Sequence, residues 1–209
     1  GNSIILNLSN STSINYKDET TLTLEAITSV GYGKNKIYNV EDALGGSAND
    51  TLIGNNSKNI LDGGAGDDIL FGFGGIGNIL VGGTGNDTIL GLLGGDIIYG
   101  GSVTYTVARD GIATSTVDGS DWVDYSYIAD TRAVNIDLNQ NKAEQIGTTS
   151  NADSLIYIQN AKGTKNNDIL KGDDDFNITN SLLGYKGDDS FIVSKGKDYI
   201  DGGDGFNTM

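Results

Sequence analysis

The sequence predicts an all-β chain wound as a parallel β-roll, and three observations predict it. From residue 45 the chain falls into frames of about nine residues, each opening on a turn-forming stretch and closing on a short apolar one. Glycine is abundant at 32 residues while proline is absent. Asp50, Asp68 and Asp87 occupy position six of alternate frames, at spacings of 18 and 19 residues.

The frames are explicit. Residues 45–53 read GGSANDTLI, 54–62 read GNNSKNILD, 63–71 read GGAGDDILF, 82–90 read GGTGNDTIL and 91–99 read GLLGGDIIY. Residues 72–81, GFGGIGNILV, have ten residues and no Asp. Glycine permits positive φ and close approach of neighbouring backbones, so the first six residues of a frame form a tight turn. The last three form a strand whose middle residue points inward: Leu52, Leu61, Leu70, Leu80, Ile89 and Ile98. Two frames make one coil of about 18 residues with a strand on each face. High glycine alone also describes a flexible linker, but a linker has no reason to keep this period.

Composition narrows the chemistry. The chain has 209 residues, with 13 basic and 28 acidic side chains and a formal net charge of -15. Phosphate recognition needs Lys and Arg, which argues against nucleic acid and anionic membrane as partners. No histidine and no cysteine are present, so the usual zinc and copper ligands are missing and oxygen donors remain. Stacked coils bring Asp50, Asp68 and Asp87 into a ladder along one edge, where bare carboxylates repel. A Ca²⁺ between consecutive turns removes the repulsion, taking carboxylates and turn carbonyls as its oxygen ligands. The opposite edge offers Asn59, the irregular frame around Asn78, and then Asp96; poor sites are expected there. No apolar run reaches the length of a transmembrane helix.

The pattern returns near the C-terminus. Residues 163–171 read GTKNNDILK, 184–192 read GYKGDDSFI and 193–201 read VSKGKDYID, with Asp168, Asp189 and Asp198 at position six. Residues 172–183, twelve where nine are expected, carry an insertion; Asp173, Asp174 and Asp175 in it are read as a solvated acidic loop, with cation binding the other reading. A larger unit repeats as well: NDTLIG from Asn49 matches NDILKG from Asn167, and SIILNLSN from Ser3 resembles AVNIDLNQ from Ala133. Three regions follow: 1–101, a first strand segment with its roll; 102–120, a connecting hairpin; and 121–209, a second strand segment with its roll. The hairpin rests on two alternating runs around Arg109, Asp110 and Gly111. The repeated unit reads as a piece of a tandem array.

With these motifs in view, the chain resembles the repeats-in-toxin (RTX) family of hemolysin-type calcium-binding repeats. GGAGDDILF and GGTGNDTIL fit that family's nonapeptide at every position. The resemblance implies a right-handed parallel β-roll and Ca²⁺ held by the position-six Asp with carbonyls of positions one to four. In the first segment the implied ligands are Gly45, Ser47, Asp50, Gly63, Gly64, Ala65, Gly66, Asp68, Gly82, Gly83, Thr84, Gly85 and Asp87, with Asp96 on the opposite edge. In the second they are Gly163, Asp168, Gly187, Asp189 and Asp198. It also implies type I secretion and an extracellular location at a bacterial cell surface.

Catalysis is not expected, because the chain lacks the imidazole and thiol groups of common nucleophile–base pairs, and its carboxylate pairs sit at turn positions five and six. The first functional reading is a structural module of a surface-layer or other surface protein that folds on binding Ca²⁺. The alternatives are an accessory module of a secreted toxin or hydrolase and an adhesin module, with neighbouring copies or surface polysaccharide as partners. Trp122, Tyr125 and Tyr127 are read as core residues, with sugar stacking the other reading.

Overall fold

The computed structural model describes residues 5–7, 13–16, 20–23, 41–91, 93–105, 112–115, 119–128, 131–148 and 151–209. Residues 37–40 and the Arg109–Asp110–Gly111 turn lie outside the described residues.

Each nonapeptide contributes one short strand at its last three residues, which in two frames runs on through the opening three residues of the next, as Ile60–Ala65 and Ile79–Thr84. Successive strands go alternately to two sheets. The eight-stranded sheet runs in the order Ile5–Asn7, Thr51–Ile53, Ile69–Phe71, Thr88–Leu90, Trp122–Asp124, Asn160–Lys162, Ser181–Leu183 and Tyr199–Asp201. All its pairings are parallel. The nine-stranded sheet runs Ser190–Ile192, Ile169–Lys171, Val134–Asp137, Lys142–Gln145, Asp153–Ile156, Ile97–Tyr99, Ile79–Thr84, Ile60–Ala65 and Asp42–Leu44. There only Lys142–Gln145 is antiparallel, to both of its neighbours. A parallel neighbour one coil away is what a period of 18 or 19 residues demands.

Register confirms the inward anchors. Leu52 pairs with Leu70 and Leu70 with Ile89 in one sheet; Leu61 pairs with Leu80 and Leu80 with Ile98 in the other. All six are fully buried. Val123, Ala161 and Leu182 extend the first row, and Leu155, Ile136, Leu170 and Phe191 the second, in one continuous core. At about 1.5–3 kcal/mol per buried aliphatic side chain, this thin column is the main apolar support of the fold.

The two nonapeptide segments, read from sequence as separate rolls, share both sheets and form one stack. Residues 122–124 and 160–162 carry the first sheet across the gap, and 134–137, 142–145 and 153–156 carry the second. The expected hairpin is present as Val103–Tyr105 antiparallel to Ile112–Ser115. Its Val103 packs beside Ile60, Ile79, Val81 and Tyr99 on the outer face of the second sheet.

Candidate metal centre

The position-six side chains form ladders, and their hydrogen bonds show how. On the edge before the eight-stranded sheet, the N–H of Asp50 donates to Oδ1 of Asp68 (2.6 Å), that of Asp68 to Oδ1 of Asp87 (2.8 Å), and that of Asp87 to Oδ1 of Asp121 (2.9 Å). The N–H of Asp121 donates to Oε1 of Gln159 (2.7 Å). Each carboxylate therefore uses one oxygen to clamp the preceding coil.

The other oxygen, Oδ2, turns toward the glycine that opens its own frame. A Cβ added at Gly63 would collide with Oδ2 of Asp68 and with the carbonyl oxygen of Gly82. At Gly82 it would meet Oδ2 of Asp87 and the carbonyl of Gly100; at Gly184, Oδ2 of Asp189 and the carbonyl of Gly202. Gly45 repeats this with Oδ2 of Asp50 and the carbonyl of Gly63, and Gly163 with Oδ2 of Asp168 and the carbonyl of Gly184. At each rung Oδ2 and a carbonyl from the next coil lie close against the opening glycine; at Asp50 and Asp168 that Oδ2 accepts the N–H of Gly46 and of Thr164, each at 2.5 Å. The Oδ2 atoms of Asp68 and Asp189 are buried and accept no hydrogen bond. An unsatisfied buried carboxylate oxygen is costly, and an oxygen-seeking cation is the partner this donor set fits.

The cost is visible in the acidities. Burial pushes Asp68 from 3.8 up to about 6, with the Asp50 amide opposing and the Asp50 charge adding to the rise. Asp168 also rises to about 6, again through burial. Burial raises Asp189 as well. Among the described residues no three acidic side chains gather at one point, so backbone carbonyls must supply much of any coordination shell.

The edge before the nine-stranded sheet uses the same ladder with different chemistry. The N–H of Asn59 donates to Oδ1 of Asn78 (2.8 Å), that of Asn78 to Oδ1 of Asp96 (2.8 Å), and that of Asp96 to Oδ1 of Asp153 (2.9 Å). Nδ2 of Asn59 donates to the carbonyl of Glu41 (2.9 Å) and Nδ2 of Asn78 to that of Gly75 (3.3 Å), while Oδ1 of Asn59, which accepts the N–H of Asn55 (2.8 Å), lies with the carbonyl of Gly72 against Gly54. Asparagine replaces aspartate at two rungs here, and a neutral amide offers a cation less charge than a carboxylate. Asp96 is pushed up to about 7, by burial and then by the neighbouring Asp153. Asp153 is capped by the hydroxyl of Tyr125, which donates to its Oδ2 at 2.7 Å inside the core.

The second segment divides between the edges. Asp168 and Asp189 come together, the N–H of Asp168 donating to Oδ1 of Asp189 (2.8 Å). Asp198 lies on the other edge, where its Oδ1 accepts from the N–H of Asn180 (3.3 Å) and its Oδ2 from the hydroxyl of Ser194. Asp173 and Asp175 turn onto their own loop, accepting the N–H groups of Asp175 and Asn177. Ser47, Gly66, Gly85 and Gly187 lie in the turns, whereas Gly64, Ala65, Gly83 and Thr84, expected in turns, end the strands Ile60–Ala65 and Ile79–Thr84, where Gly64 pairs with Gly83 and Ala65 with Thr84. Gly66 and Gly85 hold φ of +123° and +129°, and a Cβ on Gly85 would meet the carbonyl oxygen of Gly66; only glycine permits that stacking.

Three features escaped the sequence reading. Asp121 and Asp153 carry the ladders on, although neither sits in a contiguous nonapeptide. A second, exposed ladder runs through position five: the N–H groups of Asp67, Asn86 and Ser120 donate to Oδ1 of Asn49, Asp67 and Asn86 at 2.9–3.0 Å. The recurrence of Asn or Asp at position five was its signal. Of the aromatic trio, Tyr125 is fully buried, while Tyr127 is partly buried and packs near Phe71.

The model of the RTX calcium-binding nonapeptide repeat matches residues 44–76, 73–106 and 176–209. These segments carry RTX calcium-binding repeats, whose nonapeptides bind Ca²⁺ and form β-rolls. The repeat is a structural calcium-binding module, found in secreted bacterial proteins. No curated protein matches the chain. Among the described residues no helix is long and apolar enough to cross a membrane.

Proposed function

We propose that the chain is a calcium-dependent structural module of a large secreted bacterial protein, exported unfolded by a type I system and serving in surface-layer or other cell-surface assembly. The observation that carries this reading is the row of rungs in which a buried Asp Oδ2 faces a carbonyl oxygen, with Asp68 and Asp189 lacking any donor there. A buried carboxylate oxygen without a donor is costly beside a carbonyl, so the Asp68 and Asp189 rungs work against the fold until a cation joins them. The Ca²⁺ would be held by the Asp carboxylates and by turn carbonyls such as those of Gly63, Gly82 and Gly184, and it supplies positive charge to both.

The coupling gives export a direction. Extracellular calcium modules bind at about 10⁻⁴–10⁻³ M, so a chain of this kind stays expanded where calcium is scarce and folds where it is plentiful. Metal binding then acts as folding free energy. The formal charge of -15 adds repulsion to the metal-free state.

Two measurements test the reading. Far-ultraviolet circular dichroism should show most β signal lost in chelator and restored by calcium; full β signal in excess chelator refutes the coupling. Electron microscopy should show ordered sheets on calcium addition. Dispersed particles with and without calcium refute the assembly role and leave the coupling standing.

A further inference from the structure

Residues 100–102 and 119–124 occupy the place of one nonapeptide. Gly100, Gly101 and Ser102 supply its first three positions, and Gly119, Ser120, Asp121, Trp122, Val123 and Asp124 the other six. Joined, they read GGSGSDWVD, with glycine at one, two and four, Asp at six and an inward apolar residue at eight. The hairpin of residues 103–118 is inserted between positions three and four.

The two pieces stack as a single repeat. Asp87 and Asp121 are 34 residues apart; without residues 103–118 the separation is 18, the same as between Asp50 and Asp68. Trp122, Val123 and Asp124 pair in register with Thr88, Ile89 and Leu90. Val123 is fully buried, as Ile89 is. Gly119 has positive φ, and a Cβ there would strike the carbonyl oxygen of Gly85, just as one at Gly85 would strike that of Gly66. At position five, Ser120 donates its N–H to Asn86 as Asn86 does to Asp67. At position one, a Cβ on Gly100 would meet Oδ2 of Asp121 and the carbonyl oxygen of Tyr157. That is the oxygen pair found at Gly63 and Gly82. Ser102 and Gly119 can remain neighbours because the strands of the insert pair antiparallel, with Val103 opposite Ser115.

We propose that this split nonapeptide is a further calcium site, with the Asp121 carboxylate and the Tyr157 carbonyl holding the ion beside Gly100. The proposal rests on the calcium reading above. Asp121 lies outside every segment matched by the repeat model, because a contiguous pattern cannot span the insert. The site extends the Asp50–Asp68–Asp87 edge by one rung and ties the first nonapeptide segment to the strands that lead into the second. The site does not use residues 103–118.

Native mass spectrometry of the whole chain in Ca²⁺ tests this, with circular dichroism as the check on folding. D121N keeps an Oδ acceptor, as Asn78 does on the other edge, and should bind one ion fewer than the parent. D68N should also lose calcium. A variant lacking residues 103–118, with Ser102 joined to Gly119, should fold and keep the parent's ion count. If D68N loses calcium while folded D121N keeps the full count, the split site is overturned and the calcium reading stands. If neither variant loses an ion, both are overturned. Should D121N fail to fold, the same substitution in the deletion variant decides: one ion fewer than the deletion variant supports the split site, and an equal count in a folded protein overturns it.

Discussion

Replacing Asp68 by Asn should affect the protein in opposite directions with and without calcium. Oδ1 of Asp68 accepts the Asp50 N–H at 2.6 Å, and an Asn oxygen can do the same. What changes is Oδ2, buried against the Gly82 carbonyl without a donor. In the metal-free protein its acidity is displaced from 3.8 to about 6. At about 1.4 kcal/mol per pH unit this is roughly 3 kcal/mol against the charged fold, and partial solvent screening at the turn brings it to on the order of 1–2 kcal/mol. D68N removes that repulsion and can donate to the carbonyl, so it should raise residual β signal in chelator. In calcium the balance reverses. For a site of about 10⁻⁴–10⁻³ M affinity at about 10 mM Ca²⁺, the bound ion contributes about 1.4–2.7 kcal/mol, which D68N forfeits. Urea unfolding in calcium, set beside circular dichroism in chelator, should show D68N ahead without the ion and level or behind with it. An equal advantage, or an equal deficit, in both conditions refutes a cation at this rung.

Three further outcomes follow from the same geometry. Because Asp68, Asp168 and Asp96 are raised to about 6, 6 and 7, the metal-free fold binds more protons than the unfolded chain between about pH 4 and 7. Their contribution is fully present below the unfolded value and is lost as pH rises through the folded one. Metal-free β signal should therefore be greatest near pH 4 and fall toward pH 7, while calcium affinity, which needs ionised carboxylates, rises over the same interval; a metal-free signal that grows with pH contradicts the burial of these groups. Tyr125→Phe keeps the ring but strips the hydroxyl from Oδ2 of Asp153, and should cost about 1–3 kcal/mol in urea unfolding with calcium present; an unchanged midpoint refutes the cap. Leu70→Ala empties a fully buried position between Leu52 and Ile89 and should cost about 2–5 kcal/mol by the same assay; a cost below that range shows that the column can collapse around the gap.

The nine-residue period, the six inward anchors and the glycine turns were legible from sequence because each is local. A frame of that length has room for one turn and one three-residue strand, and only position eight of each can face the interior. Asp50, Asp68 and Asp87 could be aligned from spacing alone, since the only irregularity between them is the one extra residue of the frame 72–81. The same arithmetic fails wherever residues are inserted. NDTLIG and NDILKG look alike, yet Asp50 precedes a strand of the eight-stranded sheet and Asp168 one of the nine-stranded sheet. Which edge an aspartate reaches depends on how many strands intervene, and the antiparallel strand at Lys142–Gln145 upsets that count. Asp121 was hidden for a related reason: its first three repeat positions lie on the far side of a hairpin.

The sequence by itself determined the kind of coil, its apolar column and the carboxylate chemistry offered to calcium, because those repeat every nine or eighteen residues. Only the tertiary structure decided that the two segments share one stack and that Asp153 is capped by Tyr125 while Oδ2 of Asp68 faces a carbonyl. Stacking joins residues by their height along the roll and by their edge, and insertions break the link between height and residue number.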